Sequence, residues 1–203
     1  MRKRLSRIKK IEILWDINYK IFNNYLDYYR DENIWINFKE SWDSAKWNTH
    51  DLIYISEKSL IKFLDDKTLT RASKAKNYNG KNGSRAFVSE HIVPFNLLID
   101  LYKEEFKFKN PSFNEYKDFF IKFNKICLVW HEEDNYLNDL GFKKNMPVKI
   151  NEIKDNIFSR YVAANIKPIK TIFLNPGDLF TVLKEKRDEG LCINEIKQLI
   201  SKQ

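Results

Sequence analysis

Apolar side chains return every three or four residues at Ile8, Ile11, Leu14, Trp15, Phe22, Tyr25, Leu26 and Tyr29. That spacing lines one helical face and predicts an amphipathic helix over residues 7–30. Trp35, Phe38 and Trp42 continue at the same spacing, with Trp47 beyond. A tryptophan stripe of this kind can stack bases, but at helical period it more commonly builds a core or an interface. Ser56 has the side chain of an N-cap and predicts a helix from Glu57 onward, with Leu60, Ile61 and Leu64 on its inner face. Residues 86–94, AFVSEHIVP, alternate in part between apolar and polar and stop at a proline, which predicts a strand. Helical periodicity covers 97–108 and, after the break at Pro111, 113–123. KICLVWH, residues 125–131, reads as a buried strand, and 132–140 as a short helix stopped by Gly141. Asn175-Pro176-Gly177-Asp178 is a helix start, followed by a helix to residue 189, a stop at Gly190 and a last helix over 191–200. The expected fold is α+β and mostly helical, with one small antiparallel two-stranded element. Residues 1–164 are expected to form the main domain and 165–203 a helical C-terminal subdomain.

Composition narrows this picture. The chain has 203 residues, 43% of them hydrophobic, with only five Gly and five Pro, which suits a packed core and excludes low-complexity or collagen-like structure. The longest apolar run, Ile126–Trp130, is far short of the roughly 18 residues that cross a bilayer, so no membrane partner is expected. The basic start MRKRLSRIKK is followed by Glu12, Asp16 and Lys20 rather than by an apolar signal core, and the two cysteines make no disulfide framework. A reduced, cytoplasmic setting is expected.

Charge is the more informative quantity. Lys and Arg number 36 against 28 Asp and Glu, a formal net charge of +8. Eleven of those cations lie in two segments without a single acid, residues 1–10 and residues 71–85. Elsewhere acids slightly outnumber bases. The second segment, RASKAKNYNGKNGSR, carries Arg71, Lys74, Lys76, Lys81 and Arg85 among Asn and Gly residues and reads as a basic loop. Concentrated positive charge of this kind is the footprint of a polyanion binder, so nucleic acid is the expected partner, with DNA favoured over RNA. A solvated basic tail is the alternative for residues 1–10.

The basic loop leads straight into the residues best suited to chemistry. Of three histidines, His91 and His131 lie beside acids at the ends of the two predicted strands. Hydrolysis of a phosphodiester needs a base active near neutral pH, which histidine supplies, and a hard divalent cation to balance charge on phosphate oxygens. Carboxylate and amide oxygens hold such an ion. Glu90-His91-Ile92-Val93-Pro94, together with Asn135 and Leu137 after the second strand, resembles the HNH, or ββα-metal, nucleases over about residues 86–140. The resemblance implies a ββα-like element and a Mg²⁺- or Mn²⁺-dependent endonuclease, compatible with a restriction or defence role. It implies His91 as general base and Glu90 and Asn135 as metal ligands. The family's final histidine has no counterpart, and some thirty residues separate the two strands where the family has a compact loop. His131 or Glu133 could stand in, and Glu133 is preferred because Glu132-Glu133-Asp134 concentrates carboxylates there. The same acids also suit the first turn of any helix. Arg71, Lys74, Lys76, Lys81, Arg85, Lys143 and Lys144 are expected to contact nucleic acid.

Two other functions fit parts of the pattern. The segment from Leu183 to Ile200 has the spacing of a helix-turn-helix, which would make the chain a non-enzymatic DNA-binding protein, although such corners are also common helical hairpins. The tryptophan stripe could instead serve as a surface for a protein partner, as in phage or host-defence interaction proteins.

Overall fold

A computed structural model describes residues 53–73, 85–106 and 110–201, together with Glu12, Ile13, 15–17, Tyr19, Lys20, Asn23 and Asn24. Those last few residues are helical, as the periodicity predicts, and Trp15 is buried. The basic segment 1–10, the tryptophan stripe and residues 74–84 of the basic loop lie outside the described residues.

Among the described residues, β1 (Tyr54–Ser56), β2 (Phe87–His91), β3 (Ile126–Trp130) and β4 (Pro168–Lys170) form one sheet in the order β2-β3-β1-β4. β2 and β3 are antiparallel, with Glu90 opposite Cys127 and His91 opposite Ile126. β1 is parallel to β3 and antiparallel to β4. The helices are α1 (Glu57–Asp65), α2 (Phe95–Phe106), α3 (Phe113–Phe123), α4 (His131–Asp139), α5 (Ser159–Ala163), α6 (Pro176–Asp188) and α7 (Ile193–Ser201). The α+β, mostly helical expectation holds. The expected two-stranded element is corrected: β2 and β3 do pair antiparallel, but inside a four-stranded mixed sheet. Residues 168–170 add its edge strand, and α6 and α7 pack on it, so the expected C-terminal subdomain shares its core with the rest.

Local chemistry sets the helix ends. The Ser56 hydroxyl accepts from Ser59 N at 3.0 Å and caps α1. Ser112 and Glu115 form a reciprocal capping box at α3. Asn175 caps α6 ahead of Pro176, and the turn before α7 passes through Gly190 at a φ of 81°, a conformation glycine adopts without a Cβ clash.

Strand alternation divides the core into two faces. Ile55, Phe87, Leu128 and Trp130 meet Leu60 and Phe63 of α1 and Leu179, Leu183, Ile196 and Ile200 of α6 and α7 on the first face. Val88, Cys127 and Val129 meet Leu137 of α4 and Tyr161 of α5 on the second. A third cluster holds α2 and α3, the helical hairpin between β2 and β3, against Trp15. Each large side chain fully buried in these clusters contributes about 1.5–3 kcal/mol.

Candidate active site on the flank of α4

β3 runs without a connecting residue into α4, and β2, two helices earlier in the chain, pairs antiparallel with β3. Leu137 anchors α4 on the second face of the sheet. The pleat sends Val88 and Glu90 to that same face, and Phe87, Ser89 and His91 to the other. Glu90 is therefore aimed at α4 and α5. His91 ends the strand on the opposite side, its ring 6.1 Å from that of Phe95.

Arg160 of α5, which sequence reasoning did not single out, organises this flank. It is 0% exposed. Its Nη2 donates to Glu90 Oε1 at 2.6 Å and to the His91 carbonyl, its Nε to the Ile92 carbonyl at 2.9 Å, and its Nη1 to the Phe142 carbonyl at 2.7 Å. One guanidinium thus fixes both the carboxylate of Glu90 and the backbone on which His91 sits. Burial raises the Glu90 carboxyl above its ordinary range, opposed by the charge of Arg160 and reinforced by that of Asp134. Burial likewise raises Asp134, against the charges of Lys143 and Arg160. Glu90 and Asp134 are two carboxylates close enough to feel the same two cations.

The expected ligand Glu133 stands elsewhere. It is 8% exposed, and its Oε2 accepts from the Ser56 hydroxyl at 2.5 Å and from Trp130 N at 2.9 Å, on the β1 side of α4. Its carboxylate caps its own helix and ties that helix to β1. Burial raises its pKa in spite of both hydrogen bonds. Asn135 follows Asp134 on α4 and is half-buried. His131 stacks beside Trp130, ring centroids 4.8 Å apart, and donates its backbone N–H to the Ala86 carbonyl.

Among the described residues, no group of three or more His, Cys, Asp or Glu side chains is arranged to hold a metal ion. Glu90, Glu133 and Asn135 do not fit as a ligand set, because Glu133 is committed to Ser56 and Trp130. Glu90 and Asp134 are the carboxylates on this flank that could serve the simpler mode of Mg²⁺, through one or two carboxylates with water and substrate phosphate, and Glu90 Oε1 is paired with Arg160 at 2.6 Å. Each of these carboxyls is raised by burial, and a cation would reverse that.

The expected nucleic-acid contacts are partly in view. Lys143 and Lys144 are exposed in the turn after α4, with Lys143 close enough to influence Glu90 and Asp134. The Lys144 carbonyl accepts from Asn96 Nδ2 at 2.9 Å. Arg71 is exposed beside Gly177 at the start of α6, and Arg85 is exposed just before β2. Lys74, Lys76 and Lys81 lie outside the described residues. The α6–α7 corner buries Ile196 and Ile200 against the sheet and exposes Asn194, Glu195 and Gln198, a surface with little positive charge for a phosphate backbone. Among the described residues, no helix is long and apolar enough to cross a membrane.

Comparison with known proteins finds no matching family model, no matching curated protein and no matching solved structure.

Proposed function

We propose that the chain is an HNH-like endonuclease that hydrolyses phosphodiester bonds in nucleic acid, DNA in preference to RNA, in a cytoplasmic setting. One observation supports this reading above others: β2 pairs antiparallel with β3, β3 passes directly into α4, and Glu90 and Asp134 feel the charges of the same two cations, Arg160 and Lys143. The resemblance implies His91 as general base, and its side chain leaves the end of β2 on the face opposite Glu90 and Asp134. The His91 backbone carbonyl, clamped by Arg160, keeps the end of β2 in one position, and such positioning is a large part of catalysis. Arg71, Arg85, Lys143 and Lys144, all exposed, would attract the phosphate backbone. Glu90 and Asp134, with Asn135 alongside, are the residues that would hold Mg²⁺ or Mn²⁺. The ion's contribution would be electrostatic stabilisation of charge on the phosphate.

Digestion of plasmid DNA and of RNA with Mg²⁺, Mn²⁺ or excess chelator tests the proposal. His91→Ala is expected to lower cleavage by about 10²–10⁴, the usual loss of a general base, with binding and folding kept. Asp134→Asn is expected to lose activity where Glu133→Gln keeps it. Full cleavage by His91→Ala, or in chelator, would sink the proposal.

A further inference from the structure

β1 and β3 lie side by side and run in the same direction, and each passes directly into a helix. α1 leaves β1 toward the first face, where Leu60 and Phe63 pack on Ile55 and Leu128. α4 leaves β3 toward the second, where Leu137 packs on Cys127 and Val129. Adjacent parallel strands whose helices depart to opposite faces open a crevice beyond their carboxyl ends, the place where open α/β sheets bind ligands. In this protein the crevice is a cavity of about 530 Å³ between α1, α4 and residues 164–167, within the size range of small-molecule sites.

We propose that this cavity binds a nucleoside phosphate, its phosphate held by Lys58, Lys62 and Lys167 and its base laid against Tyr136 and Ile61. All five side chains line the cavity. Tyr136 of α4 is 48% exposed and Ile61 of α1 38%, so each helix leaves one large apolar surface in solvent at the same opening. A flat base covers both, and an aromatic platform accepts any base because every base has a π face.

The glutamates of the cavity do not bar an anion, because each already has a partner. Glu132 accepts from Lys58 at 2.7 Å, Glu57 pairs with Lys197 and, at 3.8 Å, with Lys167, and Glu133 is turned onto Ser56. Lys62 is exposed and makes no ion pair among the described residues. The Lys58–Glu132 pair is itself solvent-exposed and contributes little, so a phosphate of about two charges displaces Glu132 from Lys58. The first turns of α1 and α4 open on the same space and add their positive dipole ends to the lysines. Glu90, His91 and Asp134 do not line the cavity, so the proposal stands apart from nuclease activity.

Isothermal titration of the full chain with ATP, AMP, adenosine and inorganic phosphate decides it. Saturable binding of ATP and AMP is expected, with adenosine and inorganic phosphate each weaker by about tenfold or more. Lys62→Glu and Lys167→Glu, both at exposed positions, are expected to weaken ATP by about tenfold each with unchanged circular dichroism. Tyr136→Ala is expected to weaken AMP and leave inorganic phosphate as it was. His91→Ala binds like the parent chain. Absence of saturable binding at about 1 mM nucleotide, affinity unchanged in both lysine variants, or inorganic phosphate matching AMP would each overturn the assignment.

Discussion

Helix α4 separates two carboxylates, Glu90 half-buried and Glu133 buried, that are accommodated in different ways. On its β2 flank, Glu90 meets a fully buried guanidinium that also holds three backbone carbonyls. On its β1 flank, Glu133 meets only neutral donors, a serine hydroxyl and a backbone amide. Burial raises both carboxyls, yet the consequences diverge. The charged flank retains an ion pair whose partners a substrate or a cation can rearrange, which suits a reacting site. The neutral flank is a closed joint between β1 and α4, and Glu133 cannot leave it without stranding the Ser56 hydroxyl. Glu133 and its neighbour Asp134, which feels the same cations as Glu90, thus do unlike work according to the side of the helix on which each falls.

Mutations on the two flanks should differ most at Arg160. Arg160→Met removes the countercharge of Glu90 and leaves the Ile92, His91 and Phe142 carbonyls unsatisfied, and is expected to cost about 3–5 kcal/mol in urea unfolding. Much of that should return in the double variant Arg160→Met/Glu90→Leu, which removes the stranded charge. An unchanged midpoint for the single variant would show that the guanidinium carries no load.

On the neutral flank the expected cost is smaller. Ser56→Ala loses both the cap of α1 and the donor to Glu133, about 1–2 kcal/mol by the same measurement. The pH dependence is more diagnostic than the size. Because the folded state raises the Glu133 pKa above its ordinary 4.5, the folded chain holds that proton more tightly than the unfolded chain. Stability from this group is therefore full below the ordinary value and is lost as pH rises through the folded value. Glu133→Gln cannot titrate, so the advantage of the parent chain over it should shrink over the range above pH 4.5. An advantage that grows over that range would reverse the assignment of Glu133 as a carboxyl raised by burial. The smallest effect belongs to the exposed pair at the edge of the neutral flank: Lys58→Ala is expected to change stability by less than about 1 kcal/mol, and less still at high salt.

Much of this protein was legible from residue order. The strands at 87–91 and 126–130 and the helix at 113–123 follow from local periodicity, and the starts of α1 and α6 from Ser56 and Asn175, whose side chains bond amides three residues on. These features were readable because their causes lie within a few residues of one another. β1 and β4 are three residues each, too short to show a period, and exist only because they pair with each other and with β3. The same dependence on distant partners hid the candidate site. His91, Glu90 and the acids at 132–134 could be named from their neighbours, but nothing near Arg160 marks it among 36 basic residues as one that is buried against Glu90, 70 positions away.

Periodicity, capping side chains and charge segregation are short-range properties, and they settled most of the helices and the two longer strands and gave the expectation of a polyanion partner. Which acid faces the guanidinium is a different kind of fact. Glu133 and Asp134 are adjacent in sequence, but a helix turns about 100° per residue, so one looks toward β1 and the other toward β2 only once the sheet order β2-β3-β1-β4 is set. That order, and the crevice it opens between β1 and β3, comes from burying both faces of the sheet at once, a condition that no single segment of the chain contains.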